Sequence, residues 1–146
     1  MASIDFDGFL DALAAYLAGR ASLRYGAAAG TPAAIWRYQA VEDNATDPYS
    51  VLLPYASGSP LEWVPVAVLP LQVKTTGTGR ALVARQIQAV HGALLAADGR
   101  PLRSAAISPA WRLLGVDLRP PAEVEVDDRN RPVWAFNADL KFLATA

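Results

Sequence analysis

Lys74-Thr75-Thr76-Gly77-Thr78-Gly79-Arg80 is the stretch whose residue types first suggest chemistry. It stands between an apolar run and an amphipathic segment. In such strand-to-helix loops, free N–H groups at the helix start can hold a phosphate. The spelling fits neither common phosphate loop. A P-loop needs G-x-x-x-x-G-K-[ST], and here the Lys precedes the glycines. A dinucleotide loop needs G-x-G-x-x-G, and Leu82 stands where the third Gly belongs. The stretch reads better as a turn in which Thr78 caps the following helix.

His91 is the one His of the chain. A Ser-His-Asp hydrolase would require it as the base. Asp98 lies two turns further along the same side of its helix, and Asp139 is a second possible partner. No G-x-S-x-G elbow is present, and Ser57-Gly58-Ser59 has the composition of a turn. Packing or surface exposure is the simpler role for His91. With one His and no Cys, the chain lacks the ligands of a structural zinc site and has no thiolate or disulfide. No metal and no cofactor is expected.

Carboxylates offer the remaining chemistry. Asp127 and Asp128 are flanked by Arg129 and Arg131, which reads as a self-compensated hairpin tip. Alternation places Glu123 and Glu125 on one face of a strand. Together, or as Glu125 with Asp139 across the hairpin, they are a possible cation site; a solvated face is the plainer reading. Trp36, Trp63, Trp111 and Trp134 all lie in apolar or strand contexts, and two or three of them should be core.

The elements that position these residues follow from periodicity. Phe6, Phe9, Leu10, Leu13 and Leu17 recur at helical spacing, with Ser3 as the expected cap and Gly19 as the expected end. Val83, Ile87, Val90 and Leu94 make one stripe on a helix of Ala81 to Ala96, closed by Asp98-Gly99. Strands are expected at Ile35–Gln39, Tyr49–Tyr55 and Leu71–Thr75. That last core belongs to an apolar run from Trp63, whose Pro65 and Pro70 suit a strand start, an edge or a bulge. Leu102–Ile107 suggests a short strand, and Trp111–Val116 fits either a strand or a helical turn. Glu123–Val126 and Val133–Phe142 form a hairpin across Asp127–Arg131. Gly26–Pro32, Glu42–Pro48 and Ser57–Pro60 read as connectors. This order gives an α+β fold: a mixed or mostly antiparallel sheet with an N-terminal and a central helix packed on it and a C-terminal β-hairpin.

Composition bounds the rest. The 146 residues suit a single domain, 1–146, and 53% hydrophobic against 18% charged residues excludes a wholly disordered chain. A net charge of −1 argues against a general polyanion binder. The balance is uneven, −4 over residues 1–73 and +3 over the remainder. The start of the chain is acidic, unlike a secretory signal, and no apolar run is long enough to span a membrane.

The succession of an N-terminal amphipathic helix, Leu71-Gln72-Val73-Lys74-Thr75-Thr76-Gly77, a helix of Ala81 to Ala96, a basic Pro-containing stretch and the hairpin Asp128-Arg129-Asn130-Arg131-Pro132-Val133-Trp134-Ala135-Phe136-Asn137 resembles the tail terminator (minor capsid, head–tail joining) proteins of long-tailed bacteriophages. The likeness covers most of the chain and contains no catalytic motif. It implies an α+β virion protein, assembled in the host cytoplasm as a homo-oligomeric ring, usually a hexamer. The ring would cap the tail tube protein at its final length, at the head-proximal end, and provide the surface on which the head-completion or connector protein docks. DNA would pass through the lumen without specific binding. No enzyme activity, cofactor or membrane is implied. Arg80, Arg85, Arg100, Arg103, Glu42, Asp43 and Asp47 are candidate interface or lumen residues. A tail tube or head-completion ring protein is the alternative within virion biology. A small ligand-binding module, or a hydrolase using His91, is the alternative outside it.

Overall fold

The computed structural model describes residues 5–26, 32–55, 59–60, 66–96 and 105–144. Ser3, Trp63, Pro65, Asp98-Gly99, Arg100 and Arg103 lie outside the described residues.

Helix α1 spans Phe6–Ala21. Its cap is Asp5, whose Oδ1 accepts the Gly8 N–H at 2.8 Å. Gly19 does not end it, because Leu17 and Ala18 are buried and hold the turn in place. Termination comes at Ser22, in the left-handed region at φ 56°, with its N–H returned to the Ala18 carbonyl. Strand β1 spans Ala33–Arg37. A 3-10 turn at Glu42–Asn44 then leads into β2, Ala45–Pro54, which starts earlier than its apolar residues suggest.

The two-residue strand β3, Ser59–Pro60, pairs with β4, so part of the expected Ser57–Pro60 turn is extended. Strand β4 runs over Val66–Thr76, well beyond the expected Leu71–Thr75. Pro70 is tolerated because it falls where the ladder to β2 ends at Leu71 and the ladder to β3 begins at Val68. On that side the Pro70 carbonyl still accepts the Tyr55 N–H at 3.4 Å, and the bond that Pro70 cannot return falls at the end of the regular ladder, beside an exposed Tyr55. Helix α2 spans Arg80–Ala96. It is followed by β5 (Ala105–Ser108), β6 (Trp111–Leu118), β7 (Ala122–Val126) and β8 (Pro132–Ala144). The ambiguous Trp111–Val116 segment is thus strand.

Among the described residues the strands form one eight-stranded sheet in the order β1-β2-β4-β8-β6-β5, with β3 on β4 and β7 on β8. Only β1 and β2 are parallel. The chain has the α+β architecture expected from its sequence. β4 and β8 pair over eleven residues, Val66 to Thr76 against Leu143 to Val133, and form the axis of the sheet.

The core lies on one face of that axis. Ala67, Leu69, Leu71 and Val73 of β4 alternate inward and meet Phe136, Ala138, Leu140 and Phe142 of β8. Phe9, Leu10, Leu13 and Leu17 of α1 and Ile87, Val90 and Leu94 of α2 close over them. Each fully buried large apolar side chain contributes roughly 1.5–3 kcal/mol. At one end Phe9 stacks on Phe142 at 3.7 Å, and Trp111 meets both rings edge-on. Trp134 also packs on this core, with its buried indole N–H unpartnered, while Trp36 donates to the Ala33 carbonyl at 2.9 Å. Among the described residues no helix is long and apolar enough to cross a membrane.

Candidate functional site

The glycine loop is occupied by the protein's own carboxylate. Asp47 of β2 accepts the Thr78 N–H at 2.9 Å and the Thr78 hydroxyl at 2.6 Å. Thr78 is therefore bound to Asp47 rather than acting as a helix cap, and the first helical residue follows Gly79. The anion expected at a helix start is supplied from a strand 31 residues away. Gly77 is buried against the same strand and makes that close approach possible.

Among the described residues, His91 contacts a carbonyl and an aromatic ring; Asp98 lies outside them. The His91 Nε2 lies 3.1 Å from the Arg119 carbonyl, and its ring meets Phe136 edge-on at 4.9 Å. Asp139 is elsewhere, facing the Tyr55 hydroxyl at 3.5 Å and standing directly opposite Asp117. The buried hydroxyls belong to a different set. Ser50 and Thr75 share a 2.7 Å hydrogen bond, and Gln86 of α2 donates to Ser50 at 2.9 Å. This trio ties α2 to the centre of the sheet. Its members lie far apart in sequence, and no local pattern marks them.

The carboxylates of the hairpin are separated rather than gathered. A bulge at Val124 sets Glu123 opposite Trp134 and Glu125 opposite Val133. Consecutive β8 residues face opposite ways, so the two Glu side chains do too, contrary to simple alternation. Glu123 pairs with Arg80 at 2.7 Å, and Glu125 faces Lys74 at 3.7 Å. Asp139 pairs with Pro70 and Asp117 and is not across from Glu125. Among the described residues no three acidic or His side chains converge to hold a metal.

At the hairpin tip, Asp127 accepts the backbone N–H groups of Arg129 and Arg131 and the Arg131 Nε. Glu42 joins the same cluster, 2.7 Å from Arg129, 3.0 Å from Arg131 and 3.2 Å from the Tyr49 hydroxyl. The hydrogen bond from Arg131 is the main cause that holds the Glu42 carboxyl below its ordinary range, so it stays ionised and paired. For Asp127, burial pushes the other way, but the hydrogen bonds from Arg131 and Arg129 outweigh it and lower the carboxyl. A second cluster joins α1 to β1. Asp7 takes the Arg37 guanidinium at 2.7 Å and the Tyr38 hydroxyl at 2.7 Å, while Asp11 takes the Tyr25 hydroxyl. The i,i+4 pair of acids beside the apolar stripe of α1 was its sequence signal. Burial and the Asp11 bond push Tyr25 up to about 12.

Of the candidate interface residues, Glu42, Asp47 and Arg80 are engaged within the chain, while Asp43 and Arg85 are exposed. The open face of the sheet carries a groove of about 360 Å³. Its lining combines Val51, Leu53, Tyr38 and Tyr49 with the polar Gln39, Glu42, Lys74 and Thr76. Such a groove can receive an apolar side chain. Its carboxylate and its ammonium each face a charge of the protein itself.

No protein-family profile matches the sequence. No curated protein matches it either. Among solved structures, the fold is similar to a chain from the "virion of native gene transfer agent (GTA) particle". The TM-score is 0.54 at 16% identity, over 76% of this chain and 79% of the other.

Proposed function

We propose that this chain is a structural virion protein of the tail-terminator kind. It would form a ring, a hexamer, that caps the tail tube at its final length and offers the head connector its docking surface. The observation that carries the reading is the fold shared with a virion chain across most of both molecules. The succession of elements that resembles tail terminators supports it independently.

The physical features suit assembly. Both helices cover one sheet face, and among the described residues no helix packs on the other. β7 presents an edge with exposed Val124 and Val126. A heterologous contact that closes on itself makes a ring rather than a filament. DNA would pass through the lumen without sequence reading, in line with the small net charge. Arg85 and Asp43 are the described, exposed candidates for subunit or partner contacts. The proposal gives His91 a packing role and includes no cofactor.

Labelling of intact particles tests the location. Gold-conjugated antibody against this chain should decorate the head–tail junction in negative-stain micrographs. Label along the whole tube would identify a tube protein instead. Absence of the chain from purified particles would overturn the virion reading.

A further inference from the structure

β1, β2, β4, β6 and β8 each bury side chains in the core, whereas all five residues of β7 are exposed. Its ladder spans only Ala122 to Val126 against Ala135 to Pro132 and is interrupted by the bulge at Val124. Pro120 and Pro121 separate it from β6. Charge takes the place of apolar burial. Arg80 of α2 holds Glu123 at 2.7 Å, Lys74 of β4 faces Glu125 at 3.7 Å, and Glu42 of the 3-10 turn holds Arg129 and Arg131 at 2.7 and 3.0 Å. These clamps come from three different elements and all grip the same hairpin arm.

We propose that β7 and its turn form a detachable edge strand, fastened to the body by these three charge clamps, which opens as a unit and leaves the Pro132–Ala135 end of β8 as an open sheet edge while β6 stays paired to the rest. A strand with buried side chains opens only when its core does. One with solvent-exposed ladder bonds and no buried side chain opens locally. Exposed ion pairs weaken as salt screens them, so ionic strength sets the open fraction. Opening removes the partners of the β7-facing backbone groups within Val133–Ala135, at the end of the sheet where Glu42 otherwise holds the turn. The inference concerns the isolated subunit and does not depend on the virion reading.

Amide hydrogen exchange of the whole chain tests it, at one pH and temperature, in about 0.05 M and about 0.5 M sodium chloride. The comparison is wild type against the triple variant Glu42→Gln, Glu123→Gln, Glu125→Gln, which keeps side-chain size and removes the charge. The variant should exchange its 122–126 and 128–131 amides roughly tenfold faster at low salt. Added salt should speed the same amides in wild type and change nothing in the variant. Amides of the β4–β8 ladder should keep their rates throughout. The proposal is overturned by equal rates in the two proteins, by wild-type rates that ignore salt, or by acceleration that spreads to the β4–β8 ladder.

Discussion

Replacing Gly77 and Gly92 by Ala, one at a time, separates two effects of the same chemical change. A Cβ at Gly77 would lie 2.7 Å from the Pro48 Cβ, 2.9 Å from the Pro48 Cα and 2.5 Å from Asp47 Oδ1. Pro48 is backbone of β2 and cannot turn aside, and Asp47 is committed to Thr78. Either β2 shifts away from the loop or the Asp47 bonds lengthen. Overpacking of this kind costs about 1–3 kcal/mol. For a chain of this length, that lowers Tm by roughly 4–12 °C. Gly92 sits inside α2, exposed, and an added Cβ meets nothing within 4 Å. Here Ala removes a helix-interior glycine and should stabilise by about 0.5–1 kcal/mol, raising Tm by roughly 2–4 °C. Scanning calorimetry with urea melts at fixed temperature reads both. A Gly77→Ala protein as stable as wild type would refute the close approach of loop and strand. A Gly92→Ala protein that loses stability would refute the free space around α2.

Other perturbations test other layers. Phe142→Ala removes the ring stacked on Phe9 and should cost about 3–5 kcal/mol in urea melts; a cost under about 1 kcal/mol would contradict the core placement. Ser50→Ala leaves the Thr75 hydroxyl and the Gln86 amide without their shared partner. It should destabilise by about 1–3 kcal/mol, and unchanged stability would mean the trio does not tie α2 to the sheet. The Tyr38 hydroxyl first, and the Arg37 charge with it, hold Asp7 below the ordinary carboxylate range against the opposing effect of burial. Its contribution is therefore present above that range and lost as pH falls through the lowered value. Urea midpoints of Asp7→Asn should fall less steeply on acidification than those of wild type, and identical slopes would remove Asp7 from the account. Phenolate absorbance should show Tyr25 ionising near pH 12, and its loss from the Tyr25→Phe titration identifies it; a change centred near 10 would contradict the half-buried, Asp11-bonded hydroxyl.

The helices were legible because their signal is local. The Val83, Ile87, Val90 and Leu94 stripe marks α2 within one residue of its observed start. The hairpin was legible from its turn residues. Long-range pairing was not. Nothing in the period of residues 45–54 says that β2 lies parallel to β1 and antiparallel to β4. Pro70 argued for a short strand, because the gap between the β2 and β3 ladders that accommodates it exists only in the assembled sheet. The bulge at Val124 turned Glu123 and Glu125 apart, which strict alternation forbids. Asp47, a candidate interface or lumen residue in the sequence, is placed by the fold in the glycine loop. The virion reading came from the order of elements and not from any single residue, so the side chains at its interfaces were the least legible part.

Tail length tests the central claim most directly. Deleting the reading frame from its source genome and imaging the lysate by negative-stain electron microscopy reads the proposed capping role itself. The account predicts overlong tubes without heads. Tails of normal length joined to filled heads would contradict it.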